Sequence, residues 1–188
     1  MTPKGAKAPL VIVISGPGGA GKGTIVSKLC EQDPTITVSR SWTTREPRTD
    51  DKKDSYFFVN DVEFNKHKDN GGFIEWNEFL GCMYGTPMPD SDDERDLILE
   101  IDVSGGRQIC RKIPQAILVF IDVEDSELRR RLSGRGDEQS EIDKRLLEAG
   151  RERKEAKELN YRIVLNDDLT KATKEIYEII CRARLEGP

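Results

Sequence analysis

Leu10-Val11-Ile12-Val13-Ile14-Ser15 runs straight into Gly16-Pro17-Gly18-Gly19-Ala20-Gly21-Lys22, and the fold is decided at that junction. The first six residues are apolar and β-branched without alternation, the pattern of a central parallel strand covered on both faces. The glycines that follow let the backbone turn its N–H groups inward, where they bind phosphate oxygens. Lys22 adds a full positive charge, and Thr24 to Gln32 then carries Ile25, Val26, Leu29 and Cys30 on one helical face before Asp33-Pro34 stops it. A helix opening behind such a loop presents its positive end to an anion. Strand, loop, lysine and helix in this order read as a nucleoside-triphosphate cradle rather than an ordinary glycine-rich turn. One position departs from the pattern: Gly23 stands where a Ser or Thr usually follows the lysine, and Thr24 comes next. A hydroxyl ligand for Mg²⁺ directly after the lysine is therefore absent, and Thr24 is expected to touch phosphate instead.

Further apolar runs follow at Leu97–Val103, Ala116–Asp122 and Arg162–Asn166. Helical patterns lie between and after them, at Ser126–Leu132, Glu138–Leu159 and Leu169–Leu185. Strands alternating with helices predict an α/β protein with a doubly wound parallel sheet, the P-loop NTPase fold. Ser41 to Pro89 breaks the alternation. It gathers Trp42, Tyr56, Phe57, Phe58, Phe64, Phe73, Trp76, Phe79 and Tyr84 around strand-like pieces at Tyr56–Val59 and Phe73–Phe79, with turn signals at Asn70-Gly71-Gly72 and Gly81. This is expected to be a small mixed insert whose mini-core holds Trp42, Phe57, Phe58, Phe73 and Trp76. The expected division is a flexible tail over 1–9, core over 10–40, 91–130 and 148–188, the insert over 41–90, and a lid over 131–147.

Charged residues make up 35% of the chain, yet the net charge is only −5 with no basic tail, so charge suggests no nucleic-acid partner. No apolar run approaches the roughly 20 residues that span a bilayer, so no membrane partner is expected. Cys30, Cys82, Cys110 and Cys181 are scattered, which reads as reduced thiols in a cytoplasmic protein. The single histidine, His67, sits in a polar stretch and is expected to be solvated surface.

The insert narrows the function. Ser41-Trp42-Thr43-Thr44-Arg45-Glu46-Pro47-Arg48 sets two arginines beside hydroxyls; Tyr56-Phe57-Phe58, Phe73-Ile74-Glu75-Trp76 and Tyr84-Gly85-Thr86 follow. At these residues, and from the glycine-rich loop to Asn166-Asp167-Asp168-Leu169, the chain resembles the guanylate kinase family. That resemblance implies transfer of the γ-phosphoryl of ATP to GMP with Mg²⁺. It implies that Gly16, Pro17, Gly18, Gly19, Ala20, Gly21, Lys22, Gly23 and Thr24 hold the ATP phosphates. Arg45, Arg48, Tyr56 and Tyr84 would hold the GMP phosphate, where guanidinium forks and phenol hydroxyls suit the anion. Ser41, Glu75 and Thr86 would read guanine, and Gly85, between Tyr84 and Thr86, would belong to the same GMP site. A carboxylate accepts from N1–H and the 2-amino group, and hydroxyls donate to O6. Adenine offers neither pattern, and a site built for guanine typically rejects the wrong base by a factor on the order of 10⁴. The chain departs from the family at Asp50–Ser55, one residue shorter and without a glycine before Tyr56, and at Gly18, where relatives usually carry Ser.

Glu100 and Asp102 close the strand Leu97–Asp102, at the strand end where α/β sheets bind ligands. Asp102 is a candidate for substrate contact or for a water of Mg²⁺, with the resemblance favouring substrate; Glu100 would buttress the loop. Arg131, Arg135 and Arg145 match the family's lid arginines, Gly134 and Gly136 suit a hinge, and Arg129 and Arg130 read as solvated helix face. Lys22, Arg48, Arg135 and Arg145 would carry the catalysis. Asn166 and Asp167 would lie near the ATP base, unless Asp167 or Asp168 caps the next helix. Two rival readings stand beside this one: a phosphopeptide-binding scaffold domain, and a kinase for another acceptor such as AMP.

Overall fold

A computed structural model describes residues 8–47 and 55–186. Arg48, residues 50–54 of the shortened stretch, and most of the expected tail lie outside the described residues. The chain order is β1 (Val11–Ser15), α1 (Lys22–Gln32), β2 (Ile36–Val38), β3 (Ser41–Thr43), β4 (Tyr56–Phe58), α2 (Asp61–Asp69), β5 (Phe73–Phe79), β6 (Cys82–Pro87), β7 (Asp96–Glu100), α3 (Val103–Lys112), β8 (Ile117–Asp122), α4 (Asp125–Gly134), α5 (Gln139–Glu158), β9 (Arg162–Leu165) and α6 (Leu169–Glu186).

The main sheet has the order β2-β7-β1-β8-β9 and is parallel throughout. β1 sits at its centre, and Ile12, Val13 and Ile14 are fully buried between helices on both faces. On one face β1 and β8 pack Ile12, Ile14 and Ile121 against α1 and α6 through Ile25, Leu29 and Ile176. On the other, Val13, Leu99 and Phe120 meet α3 and α5 through Ile109 and Ala156. Val103, expected to end the strand, is instead the first residue of α3. Asp102 takes extended backbone and its side chain accepts the Gly105 N–H, capping the helix two residues earlier than the apolar run suggests.

The insert is a four-stranded sheet of order β4-β3-β6-β5, with α2 against it. Leu80 and Gly81 (φ 51° and 77°) make the tight turn between β5 and β6, both in the left-handed region that a two-residue hairpin needs. Its core is Phe64 and Phe73, while buried Ile74 packs into the main core with Leu99, Val103 and Ile109. Phe57 and Trp76, expected inside, are each 41% exposed. Arg40 covers the Phe57 ring and Lys68 the Trp76 ring. His67 corrects the sequence reading in the other direction. It is half-buried, stacked on Trp42 with ring centres 4.3 Å apart and edge-on to Phe73. It belongs to the aromatic cluster because α2 turns that face toward β3 and β5.

Candidate active site

The helix behind the glycine-rich loop is built to leave its positive end open. α1 has no side-chain cap and no acid in its first turn, whereas α2, α4 and α5 each begin with acidic residues. Its first N–H groups are thus left for an anion. Gly16 and Gly21 adopt φ of 145° and 93°. A Cβ at Gly16 would stand 2.1 Å from the Ile121 carbonyl oxygen, and one at Gly21 2.6 Å from the Asn166 amide. Both glycines are required by close approach as well as by backbone conformation. Lys22 Nζ donates to the Gly16 carbonyl at 2.6 Å, folding the ammonium over the loop.

Asn166 and Arg131 brace the back of this loop. Buried Asn166 donates Nδ2 to the Ala20 carbonyl at 2.7 Å, and its Oδ1 is buried with no partner among the described residues. Arg131 donates to the Ala20 and Asn166 carbonyls and to Glu127. Asp167 is exposed, and the cap of α6 is Asp168, which accepts from the Lys171 N–H at 2.9 Å. Thr24 is exposed on the first turn of α1, and Glu100 lies beside Gly23, 3.5 Å from where a Cβ would stand.

The insert gathers the second set of candidate residues. Ser41, Thr86 and Glu75 are all buried and joined by hydrogen bonds: Ser41 Oγ and Thr86 Oγ1 lie 3.3 Å apart, and Thr86 donates to Glu75 Oε1 through both its N–H (3.1 Å) and its hydroxyl (2.5 Å). Burial pushes the Glu75 carboxyl up to about 7; the Thr86 bonds pull it down and the Asp102 charge adds to the rise. Gly105 of α3 makes room for it, since a Cβ there would stand 2.6 Å from Glu75 Oε2. Nearby, the Arg45 guanidinium lies 5.5 Å from the ring centres of Tyr56 and Phe58, and Tyr56 meets Tyr84 edge-on. Gly85 faces the other way: a Cβ there would touch Phe64 and Phe73, so it serves the insert's packing.

The two surfaces meet at the end of β7. Glu100 lies beside Gly23, and Asp102 accepts from Asn77 at 2.8 Å. Two residues of extended chain span no more than about 7 Å. The segment expected to be a lid brings one arginine to the glycine-rich loop. Arg145, on α5, pairs with Asp137 at 3.4 Å, and its guanidinium lies 3.0 Å from a Cβ built on Gly18. Arg135 is exposed in the turn joining α4 to α5. Gly136 (φ 86°) ends α4 with paired bonds from Gly136 N to Ser133 O and Asp137 N to Leu132 O, a glycine-dependent helix stop. Arg129 and Arg130 pair with Asp143 and Glu127 at the surface, as a solvated face requires.

A model of the guanylate kinase family matches residues 8–183. The chain belongs to the guanylate kinase family. The guanylate kinase of Synechococcus sp. strain CC9311 is 40% identical over 170 residues, 87% of this chain and 90% of that one. That of Caldanaerobacter subterraneus subsp. tengcongensis is 38% identical over 181 residues, 93% and 87% of the two chains. The crystal structure of guanylate kinase from Anaplasma phagocytophilum superposes with a TM-score of 0.74 at 27% identity, covering 95% of this chain and 87% of that one. The family fold is thus the parallel core and insert derived from the sequence.

Three residues beside the site escaped the sequence reading. Asn77 shares the β5 face of Glu75, and only alternation along that strand signals it. Glu152 of α5 is buried, and burial raises its carboxyl to about 7; the Lys22 cation draws it down, while Asp102, Glu148 and Glu155 push it further up. Tyr161 bonds Ser15 at 3.1 Å beneath the loop, and Gly106 must lack a side chain because a Cβ there would stand 1.8 Å from the phenol oxygen. None of the three lies in a motif. Among the described residues no group of three or more His, Cys, Asp or Glu is placed to hold a metal, and no helix is long and apolar enough to cross a membrane.

Proposed function

We infer that the loop Gly16–Thr24 takes the phosphates of ATP, that Ser41, Glu75 and Thr86 take the guanine of GMP, and that the chain catalyses ATP + GMP → ADP + GDP. The observation that carries the acceptor assignment is the buried carboxyl of Glu75, aligned by Thr86. A carboxylate kept out of water at such cost is matched by a partner offering two adjacent N–H donors, and guanine has them. Arg45, Tyr56 and Tyr84, with Arg48, supply the charge and donors for the GMP phosphate. Asn166 and Asp167 are assigned to the adenine end of the ATP site, and the Asn166 bond to the Ala20 carbonyl, which ties that end to the phosphate loop, supports this.

Phosphoryl transfer asks for in-line positioning and charge neutralisation rather than a protein nucleophile. The attacking group is an oxygen of the GMP phosphate, already anionic, so no general base is needed. Lys22 would leave the Gly16 carbonyl for the outer phosphates of ATP. Arg145 lies over Gly18, and with Arg135 and Arg48 it stabilises charge on the transferring group. Arg131, bonded to Ala20 and Asn166, holds the loop that binds ATP. The donor set beside the loop suits a Mg²⁺ carried by the nucleotide's own phosphates and waters, with the Glu100 carboxylate beside Gly23. That ion would neutralise phosphate charge. The segments 10–40, 91–130 and 148–188 then form the donor core, 41–90 the acceptor insert and 131–147 the lid. Reduced thiols fit a cytoplasmic setting.

A coupled assay for ADP with GMP, dGMP, AMP, UMP and CMP tests the reading. GMP should support turnover and AMP should be at least about 10³-fold poorer in kcat/KM. AMP serving as well as GMP, or no acceptor serving, would overturn it.

A further inference from the structure

We propose that Asn77 is a positioning residue for the acceptor: its amide fixes the Asp102 carboxylate and thereby ties the GMP-reading strand β5 to the end of β7. The inference rests on the assignment of GMP to this side of the cleft. β5 is the free edge of the insert sheet, and α3 covers that edge with polar side chains. Gln108 Nε2 donates to the Trp76 carbonyl at 2.7 Å, and Lys112 donates to the Ile74 carbonyl. These satisfy edge groups that would otherwise need water or another strand. Asn77 continues the seam from the strand's side: its Nδ2 donates to Asp102 Oδ2 at 2.8 Å while the Gly105 N–H donates to Asp102 Oδ1 at 2.7 Å.

Each Asp102 oxygen therefore has one donor, one from its own helix and one from β5. A carboxylate held from two sides keeps one rotamer. Asn77 also stands among the acceptor's contacts: it shares a strand face with Glu75 and pairs in register with Tyr84. Removing the amide frees one Asp102 oxygen and loosens a direct side-chain link from that face of β5 to the helix cap. The consequence falls on acceptor binding, since neither Asn77 nor its partner touches the glycine-rich loop.

The test compares N77A and the isosteric N77D. In N77A the KM for GMP should rise about tenfold, with kcat and the KM for ATP within about twofold of wild type. N77D sets a carboxylate against Asp102, within the field of Glu75 on β5, Lys112 on α3, Glu152 on α5, Lys22 on α1 and Tyr161. Two carboxylates in contact share a proton as pH falls. The KM for GMP in N77D should therefore exceed that of N77A at pH 8 and approach wild type near pH 6. A purely structural role would lower the melting temperature of both variants and change KM for both substrates without this pH signature. A KM for GMP within twofold of wild type in N77A, or parallel changes for GMP and ATP, would overturn the proposal. If wild type itself showed no GMP-dependent turnover, the acceptor assignment would fail first and take this inference with it. N77D keeps the test available should N77A not fold.

Discussion

Replacing Glu75 by glutamine separates what the buried carboxyl does for folding from what it does for binding. Its pKa rises from the ordinary 4.5 to about 7. A raised acid favours the native state's proton, so the native protein binds more protons than the unfolded chain between about pH 4.5 and pH 7. Stability therefore falls as pH rises through that window and levels off above it. The shift of about 2.5 units corresponds to about 3 kcal/mol at 1.36 kcal/mol per unit, an upper bound for the penalty at pH 8. Glutamine keeps an acceptor for the Thr86 N–H and hydroxyl and has no charge to desolvate. E75Q without nucleotide should thus be more stable than wild type at pH 8 by up to about 3 kcal/mol, and close to it at pH 5. Urea denaturation at the two pH values reads the difference. The same substitution should damage binding. The amide offers one acceptor and one donor where guanine presents two donors, costing about 3–4 kcal/mol, or 10²- to 10³-fold in KM for GMP with KM for ATP unchanged. If ionised Glu75 accepts from guanine as proposed, wild type must release its proton on binding, so below pH 7 its KM for GMP should climb toward tenfold per unit, relative to E75Q measured alongside. An equal stability difference at pH 5 and pH 8, or equal loss of GMP and ATP, would refute the reasoning.

Lys22→Ala should abolish turnover while circular dichroism and melting stay near wild type; near-normal turnover would sink the loop's assignment. Chelation by EDTA should stop turnover without moving the melting temperature of nucleotide-free protein, because a metal held by the substrate is no part of the fold; a fall in melting temperature would reveal a structural ion. Asp168→Ala removes the α6 cap and should cost about 1 kcal/mol in denaturant unfolding with activity unchanged. Arg184 bonds Asp33, Asp96 and Thr35, joining α6 to the turn between α1 and β2 and to β7. Arg184→Ala leaves Asp33 buried without its cation and should cost about 2 kcal/mol, between exposed and buried ion pairs; a change below 0.5 kcal/mol would show the pairs contribute little.

The parallel core was legible because its signals are local and repeated. Leu10–Ser15 is a central strand wherever it is read, and a glycine-rich loop with Lys22 has one common use at that junction. The members of the acceptor motifs were legible through family resemblance, and the fold brings Ser41, Glu75 and Thr86 into one buried chain of hydrogen bonds. Less legible was the side of the insert each aromatic faces. Phe57 and Trp76 look like core by composition, but Arg40 and Lys68 lie over them at the surface, and His67 goes inward in their place.

The central strand and the phosphate loop follow from the sequence alone, since each depends on neighbours a few positions apart, and the candidate base-reading residues follow from the sequence only through its family resemblance. The raised carboxyls of Glu75 and Glu152, the Asn77–Asp102 link and the need for Gly105 and Gly106 belong to the tertiary structure. They arise where β5, α3, α5 and β7 converge, and desolvation and close approach depend on which distant segments meet rather than on any spacing along the chain.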